Sequence, residues 1–517
     1  MFVTIGLEIH LKLNSKAKIF CQCKNEQNFD SEANQHICPV CTGQPGALPL
    51  LNKEVVEKTI IFGRALNARV NEVSSFDRKN YFYPDLPMGF QITQFYHPII
   101  TKGQLSYFIN DYEEEKTVGI SEAHLECDTA KMIHSEGKSL IDFDRAGTPL
   151  LEIVTDPDFT SAEEAVEYAR EIQRIAKWNN LGDADLEKGQ MRVDVNISIR
   201  KTLDDPLGTR VELKNINTFS AMKRAIEGEY QRQKELLEGG GRVDQETRRW
   251  VDAEGTSFSM RSKESAIDYR YFPEPDMPVL DITPFMKGGS EWNEQGDPEI
   301  LRPFDWIKQC KEEFGFHKEY INALLLDKQL FEFFFAKVDE GFDPKTVAKW
   351  MVGPMKWALD YVQGDEISLR KNVAEEAKKL KSSPEELLAQ KTTFLQQCDG
   401  LEDFLERFSS LFDGFLKIEQ AKKLVDNQLK IVFEEVLQSG SSAAEIVKAK
   451  GFDAPVMEGA ALVNIVKEVL EINPAIVAEY KGGKEGVLGF FVGQVMKRTG
   501  GKVNPQEVAD ELRNQLK

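Results

Sequence analysis

The chain has 517 residues, 41% of them hydrophobic and 29% charged, which is ordinary for a soluble globular protein and too long for one core, so we expect about two to four domains. The formal net charge of −20 argues against a general nucleic-acid-binding protein, although a local basic patch could still hold a specific RNA. No stretch approaches about 18 uninterrupted apolar residues, and the first predicted strand leaves no room for a signal peptide, so a cytoplasmic protein without a membrane span is expected.

Four apolar segments carry ionisable side chains at every second position, at 5–11, 123–128, 191–198 and 211–215. Because side chains alternate between the faces of a strand, each segment would bury one face and present its ionisable groups on the other. A merely solvated strand alternates in the same way. Histidine and acids are concentrated here, however, as in Glu8 with His10. The pattern therefore favours the floor of an active site on a sheet.

Two amphipathic helices are predicted among these strands. One spans about 161–178, where Ser161 is the N-cap and Glu164, three residues later, completes a capping box. The other spans about 218–238 and ends at the three glycines 239–241. Together with the strands they predict an α+β domain at 1–290, in which helices pack on a largely antiparallel sheet.

The second half of the chain has helical periodicity. A glycine-rich segment at 287–298 is typical of a linker. We therefore expect a helical domain at 291–405 and a further helical tail domain at 406–517. Helices are predicted around 331–335, 373–380, 442–450, 459–470 and 504–515, the last with Pro505 at its first helical position.

Four of the seven cysteines lie within 21 residues, as the pairs Cys21/Cys23 and Cys38/Cys41. Zinc takes four soft ligands in a tetrahedron, and two close pairs can supply them, so a structural zinc site is predicted. Buried small side chains or a redox Cys-x-x-Cys are the alternatives. Cys127, Cys310 and Cys398 stand alone and are expected to be packing residues.

The acids on the strand faces predict a second metal site. Oxygen ligands favour Mg²⁺, and one histidine among carboxylates would also permit manganese. The residues that could converge on it are Glu8, His10, Glu126, Asp194 and Glu152.

Several cations suit a nucleotide pocket as a set, namely Arg78, Lys79, Arg145, Lys214 and the segment 261–263. The chain has no P-loop, since Gly137-Lys138-Ser139 has only the ending of that motif, and it has no Rossmann glycine fingerprint. Any ATP site must therefore be built on the sheet face.

Long motifs in a fixed order resemble the GatB/GatE family, the B subunits of aspartyl/glutamyl-tRNA amidotransferases. The first is Gly6-Leu7-Glu8-Ile9-His10, and Phe491-Val492-Gly493-Gln494 lies near the end of the chain. Between and after them the resemblance is carried by 38–46, 77–87, 144–154, 192–196, 212–217, 268–276 and 504–505. It covers about 1–280 and 455–517.

The resemblance implies a fold and a reaction. The fold would be an α+β cradle domain, a helical domain and a tail domain similar to the YqeY family. ATP would phosphorylate the side-chain carboxylate of Glu-tRNA(Gln) or Asp-tRNA(Asn), and ammonia would then displace the phosphate. An amidase partner, the A subunit of the enzyme, would release that ammonia from glutamine, and a small third protein, the C subunit, would complete the heterotrimer.

Family site residues carry over to particular positions. The magnesium and kinase residues fall on Glu8, His10, Glu126 and Glu152, with Asp194 nearby, and Lys79 matches a lysine near the mouth of the ammonia channel. The chain departs from the family at Glu122 and Cys127, where an arginine and an acid are usual, and at 156–158, where Asp-Pro-Asp replaces Glu-Pro-Asp.

Two other functions compete with the role in a tRNA-dependent ligase. One is a zinc-stabilised tRNA-binding protein without catalysis of its own. The other is a free-standing magnesium-dependent ligase for a small acid, which would consume ATP without tRNA.

Overall fold

A computed structural model of the chain describes residues 1–25, 32–135, 137–262, 269–286, 300–364, 383, 392–453, 459–499, 503 and 505–516. These residues form two compact units, Met1–Gln309 and Cys310–Lys517. The finer domain boundaries near 290 and 405 stay predictions.

The first unit is built mainly from strands. They are β1 (Phe2–Lys12), β2 (Arg69–Val70), β3 (Val73–Ser74), β4 (Asp77–Asn80), β5 (Phe90–Thr93), β6 (Ile100–Ile109), β7 (Glu114–Cys127), β8 (Lys131–Ser135), β9 (Lys138–Asp142), β10 (Pro149–Thr155), β11 (Met191–Arg200), β12 (Val211–Lys214), β13 (Glu246–Val251), β14 (Thr256–Ser262), β15 (Phe272–Pro273) and β16 (Leu280–Asp281). Its long helices are α1 (Lys53–Ala65), α2 (Ala162–Trp178) and α3 (Phe219–Glu238).

Nine strands form one sheet, in the order β14-β13-β12-β11-β1-β10-β7-β6-β2. Neighbouring strands run antiparallel except for the parallel pair β12 and β13. The predicted α+β class and the largely antiparallel sheet are confirmed. All four alternating segments lie in this sheet, and the first strand of the chain lies in its middle.

One face of the sheet is buried under helices. On β1, Leu7, Ile9 and Leu11 are at most 1% exposed and belong to the main hydrophobic core. Helices α2 and α3 pack on the sheet and on each other, so the apolar half of each alternating strand lies beneath them. The ionisable half faces the opposite side, as the alternation predicts.

The two predicted helices of this unit are confirmed, with one correction at the start of α2. The Ser161 hydroxyl accepts a hydrogen bond from the Glu164 backbone N–H at 3.1 Å, as expected of an N-cap. The Glu164 carboxylate, however, accepts from the Thr160 N–H at 2.6 Å, one residue earlier than a capping box would place it. Helix α3 begins after its N-cap Thr218 and ends at Gly239.

The described part of the remaining chain is helical. Its α-helices are α4 (Pro303–Glu312), α5 (Lys318–Leu324), α6 (Lys328–Asp339), α7 (Pro344–Val352), α8 (Lys356–Val362), α9 (Gly400–Gln420), α10 (Asp426–Ser439), α11 (Ala443–Ala449), α12 (Ala460–Ile472), α13 (Pro474–Lys481), α14 (Leu488–Arg498) and α15 (Pro505–Leu516). Short 3-10 turns occur at Thr283–Phe285, Leu395–Gln397 and Glu485–Val487.

The predicted helices around 331–335, 442–450, 459–470 and 504–515 are confirmed by α6, α11, α12 and α15. The predicted linker at 287–298 and the helix at 373–380 lie outside the described residues. Among the helices that are described, none combines the length and hydropathy needed to cross a membrane.

Candidate active site

The centre of the open sheet face carries a row of acidic and imidazole side chains. His10 on β1 is paired with Glu152 on β10, which is paired with His124 on β7. His10 Nε2 lies 3.4 Å from Glu152 Oε2, 3.7 Å from Glu126 Oε1 and 4.0 Å from Glu8 Oε1. Strand pairing thus brings residues more than a hundred positions apart into contact.

A second acidic group extends the row toward β12. Asp194 on β11 is the register partner of Glu8. The Lys214 ammonium forms an ion pair with Asp194 and lies 3.5 Å from Glu212. Glu212 is buried and accepts a hydrogen bond from Thr247 at 2.7 Å. This bond links β12 to its neighbour β13. We call Glu8, His10, Glu126, Glu152 and Asp194 the sheet-face cluster.

The charges of this cluster shift one another's protonation. Burial raises the pKa of Glu8 to about 7, and the nearby charge of Glu152 adds to that rise. Burial opposes ionisation of Glu152, but His124 and His10 hold its pKa well below the usual range. Burial also disfavours the charged imidazoles, yet Glu152 and its neighbours raise the pKa of His10 to about 9 and that of His124 to about 10. The carboxylates therefore stabilise positively charged groups next to them.

The cluster has the donor set of a divalent-cation site. One ligand atom from each of Glu8, His10 and Asp194, and likewise from His10, Glu126 and Glu152, can be chosen within 4.8 Å of one another. Glu126 is 3% exposed, and its Oε2 has no hydrogen-bond partner among the described residues. A buried carboxylate oxygen is costly to leave unpaired, and hard oxygen donors are what Mg²⁺ prefers, so these residues fit that ion.

Lys79 on β4 also faces the cluster. Burial lowers the pKa of its ammonium, but the charges of Glu126 and Glu152 outweigh burial and raise it. The ammonium lies 5.1 Å from the centre of the Tyr269 ring, and Tyr271 stacks on Phe95 with 4.0 Å between ring centres. The Lys79 ammonium thus lies over the Tyr269 ring, within the electrostatic field of Glu126 and Glu152.

The predicted arginines are engaged by the protein itself. Arg78 binds both oxygens of Glu274, at 2.7 and 2.8 Å, and so joins β4 to the segment after β15. Arg145 donates to the carbonyl oxygens of Thr129 and Ala130, at 2.8 and 2.7 Å. Arg261 and Ser262 lie on the edge strand β14. Lys263 lies outside the described residues.

The four clustered cysteines converge as predicted. Their sulfur atoms all lie within 4.8 Å of one another, and Cys41 Sγ is 3.9 Å from Cys38 Sγ. A tetrahedron with Zn–S bonds of about 2.3 Å has sulfur–sulfur edges of about 3.8 Å, so the geometry fits a zinc ion. The fully buried Lys18 brings its ammonium to 3.7 Å from Cys41 Sγ and donates to the Phe143 carbonyl at 3.1 Å.

The remaining three cysteines and the P-loop-like segment Gly137-Lys138-Ser139 lie elsewhere in the first unit and the helical part of the chain. Cys127 and Cys310 are buried, in agreement with packing, and Cys398 is half-buried. Gly137, Lys138 and Ser139 belong to the hairpin of β8 and β9. That hairpin lacks the strand-to-helix connection that a P-loop requires.

Sequence reasoning assigned no role to His124, although it lies on the same strand face as Glu126. Its Nε2 is 3.5 Å from Glu152 and its Nδ1 is 3.5 Å from Glu122. The alternation marked it as a face residue, but only the pairing of β7 with β10 shows that it lies beside Glu152.

Comparison with known proteins identifies two family matches. Residues 3–287 match a family described as the GatB/GatE catalytic domain, and residues 409–516 match one described as the GatB domain. Similar proteins over the full length are named as B subunits of aspartyl/glutamyl-tRNA(Asn/Gln) amidotransferases. The chain is 38% identical to the one from Crocosphaera subtropica, covering 99% of this chain and 97% of that protein. It is 39% identical to the one from Campylobacter hominis, with 100% of both covered.

Proposed function

The chain belongs to the GatB/GatE family, and from that membership we propose that it is the B subunit of a glutamine-dependent tRNA amidotransferase, a carbon–nitrogen ligase. Its substrates would be ATP and Glu-tRNA(Gln) or Asp-tRNA(Asn). The observation that carries the proposal is the convergence of Glu8, His10, Glu126, Glu152 and Asp194 on one open sheet face.

The reaction has two steps. A side-chain carboxylate oxygen of the aminoacyl ester attacks the γ-phosphorus of ATP, and the bond from that phosphorus to the β–γ bridging oxygen breaks to release ADP. Ammonia then attacks the carbonyl carbon of the acyl phosphate, loses a proton, and phosphate leaves to give the amide.

The chain's residues would perform positioning and electrostatic roles. Glu8, Glu126, Glu152 and Asp194, with His10, would hold Mg²⁺, which supplies positive charge to the phosphate oxygens of ATP when bound. Lys214 would orient Asp194, and His124 would orient Glu152. The fixed geometry of these side chains on a rigid sheet would lower the cost of reorganisation during phosphoryl transfer.

Lys79 would act at the second step. Its ammonium lies over the Tyr269 ring, within the electrostatic field of the carboxylates, where it would repel ammonium ion while neutral ammonia reaches the acyl phosphate. The ammonia would come from the amidase partner, and the small third protein would complete the heterotrimer. This assembly, a structural zinc at the four cysteines and a cytoplasmic location are parts of the same proposal.

The test uses the full chain reconstituted with its amidase and small partner proteins. Glu126→Gln should lower ATP hydrolysis that depends on mischarged tRNA by at least about 100-fold, because it removes a buried charged ligand. Glu115→Gln, an exposed acid on the same strand, is the matched control and should leave the rate unchanged.

Two results would contradict the proposal. Full transamidation by Glu126→Gln would favour a tRNA-binding protein without catalysis. Equal ATP hydrolysis with and without mischarged tRNA would favour a free-standing ligase.

A further inference from the structure

Three cationic side chains converge on one buried carboxylate at the edge of the sheet-face cluster. Lys12 Nζ lies 3.9 Å and Arg145 Nε 3.6 Å from Asp128 Oδ2, and Arg192 Nη2 lies 3.5 Å from Asp128 Oδ1. Asp128 is 5% exposed. Three positively charged side chains thus face one buried carboxylate.

This group is continuous with the carboxylate site. Lys12 follows His10 by two positions on β1 and therefore shares its face. Arg192 is the register partner of His10 on β11. Asp128 lies just beyond the end of β7, two residues after Glu126. Positive and negative side chains thus lie next to each other on a single surface.

Lys12 and Arg192 lie on strands of the sheet, whereas Arg145 lies in the segment between β9 and β10. Arg145 is anchored by two backbone carbonyls, which hold its guanidinium against the loop after β7. The Arg192 side chain is 47% exposed, and the Lys12 side chain is 10% exposed on the floor of the site. Both side chains belong to strands whose ionisable groups line the open sheet face, where a ligand would bind.

We propose that Lys12 and Arg192 form an oxyanion subsite for the phosphoryl group that ATP transfers, with Asp128 and Arg145 holding the subsite in place. The inference rests on the proposed function and adds residues to it. During transfer the carboxylate oxygen of the substrate bonds to the γ-phosphorus as the bond to the bridging oxygen of ADP breaks. The non-bridging oxygens keep their contacts with Lys12 and Arg192.

A phosphoryl group would bind here because its negative charge complements the cations around Asp128. A doubly charged anion beside Asp128 is attracted by the three cationic side chains that surround it. The neighbouring carboxylates would repel that anion unless a divalent cation lies between them. A phosphoryl group held by a metal on one side and by Lys12 and Arg192 on the other satisfies both groups.

Lys12→Met and Arg192→Gln test the subsite in the reconstituted complex. Each should raise the KM for ATP by at least about 10-fold, because each removes a hydrogen bond to a charged group. The KM for glutamine should stay within about 2-fold of the unmodified complex, since the amidase reaction does not use this face. Lys12→Arg keeps the charge and should recover most of the ATP affinity.

The matched control is Arg200→Gln, at the other end of β11, where the side chain donates to the Asp205 carbonyl. It should leave the KM for ATP unchanged. An unchanged KM for ATP in both test variants would overturn the subsite, and so would a rise confined to the KM for tRNA. A lower melting temperature with an unchanged KM would show that the three cations only stabilise the fold.

Direct binding separates this inference from the proposed function. Calorimetric titration of the full chain with ATP and with inorganic phosphate should show about 10-fold weaker binding in Lys12→Met. If that loss occurs while Glu126→Gln retains tRNA-dependent turnover, the subsite stands and the catalytic proposal fails. Unchanged binding of both probes would overturn the subsite whatever Glu126→Gln does.

Discussion

Lys18 is predicted to set the zinc affinity of the cysteine cluster. Its side chain is fully buried, and its ammonium is 3.7 Å from Cys41 Sγ. Four thiolates around Zn²⁺ leave a net charge of −2, and a buried cation offsets part of it. The attraction of one unit charge for another at this distance is roughly 4 kcal/mol at an effective dielectric constant of about 20, before the cost of burying the ammonium.

Lys18→Met keeps an unbranched side chain one atom shorter and removes the charge. Because most of the attraction is cancelled by desolvation, we expect a loss of zinc affinity of about 10- to 100-fold, the range usual for groups next to metal ligands. Competition with a chromophoric chelator measures the dissociation constant. The absorption bands of cobalt in place of zinc report whether the tetrahedral site survives.

Lys16→Met is the matched control, since Lys16 is exposed and lies two residues away. It should change the zinc dissociation constant by less than about 2-fold. If Lys18→Met bound zinc as tightly as the control, charge compensation by Lys18 would be refuted. A normal cobalt spectrum with weaker binding would separate an electrostatic effect from collapse of the site.

Other expected outcomes concern stability and RNA binding. Ile9→Ala should lower the free energy of unfolding by about 2–5 kcal/mol in chemical denaturation, because Ile9 is fully buried, whereas the exposed Val73→Ala should cost under about 0.5 kcal/mol. Ser161→Ala should cost about 1 kcal/mol by the same measurement through loss of the N-cap, and no loss would contradict that role. Helix α14 ends with the basic residues Lys497 and Arg498, through which the tail would contact tRNA. Raising salt from about 50 to about 200 mM should then weaken tRNA binding in a filter assay, and Lys497→Gln should reduce the slope; a salt-independent affinity would exclude tail contacts at these two residues.

Local pattern was sufficient to predict which side chains share a face. The alternation of Glu8 with His10, and of His124 with Glu126, follows from the two-residue period of a strand. Helices α2 and α3 were predictable for a similar reason, since caps and a period of about 3.6 residues are local properties. The resemblance to the family then indicated which of these faces were expected to carry the chemistry.

The order of the strands in the sheet could not be predicted from local sequence pattern. The pairing of β1 with β10 on one side and β11 on the other brings His10 beside Glu152 and Glu8 beside Asp194. Each pairing joins segments separated by more than a hundred residues, and nothing in the alternation of one strand specifies its neighbours.

The α+β class, the ionisable strand faces, the paired cysteines and the family could all be predicted before the fold was known. Each depends on the spacing of residues within a short segment or on motifs in a fixed order. Three contacts became visible only in the folded chain: Lys18 with Cys41, Lys12 and Arg192 with Asp128, and His124 with Glu152. Those contacts are set by the order and register of strands, which depend on how the whole sheet buries its apolar face.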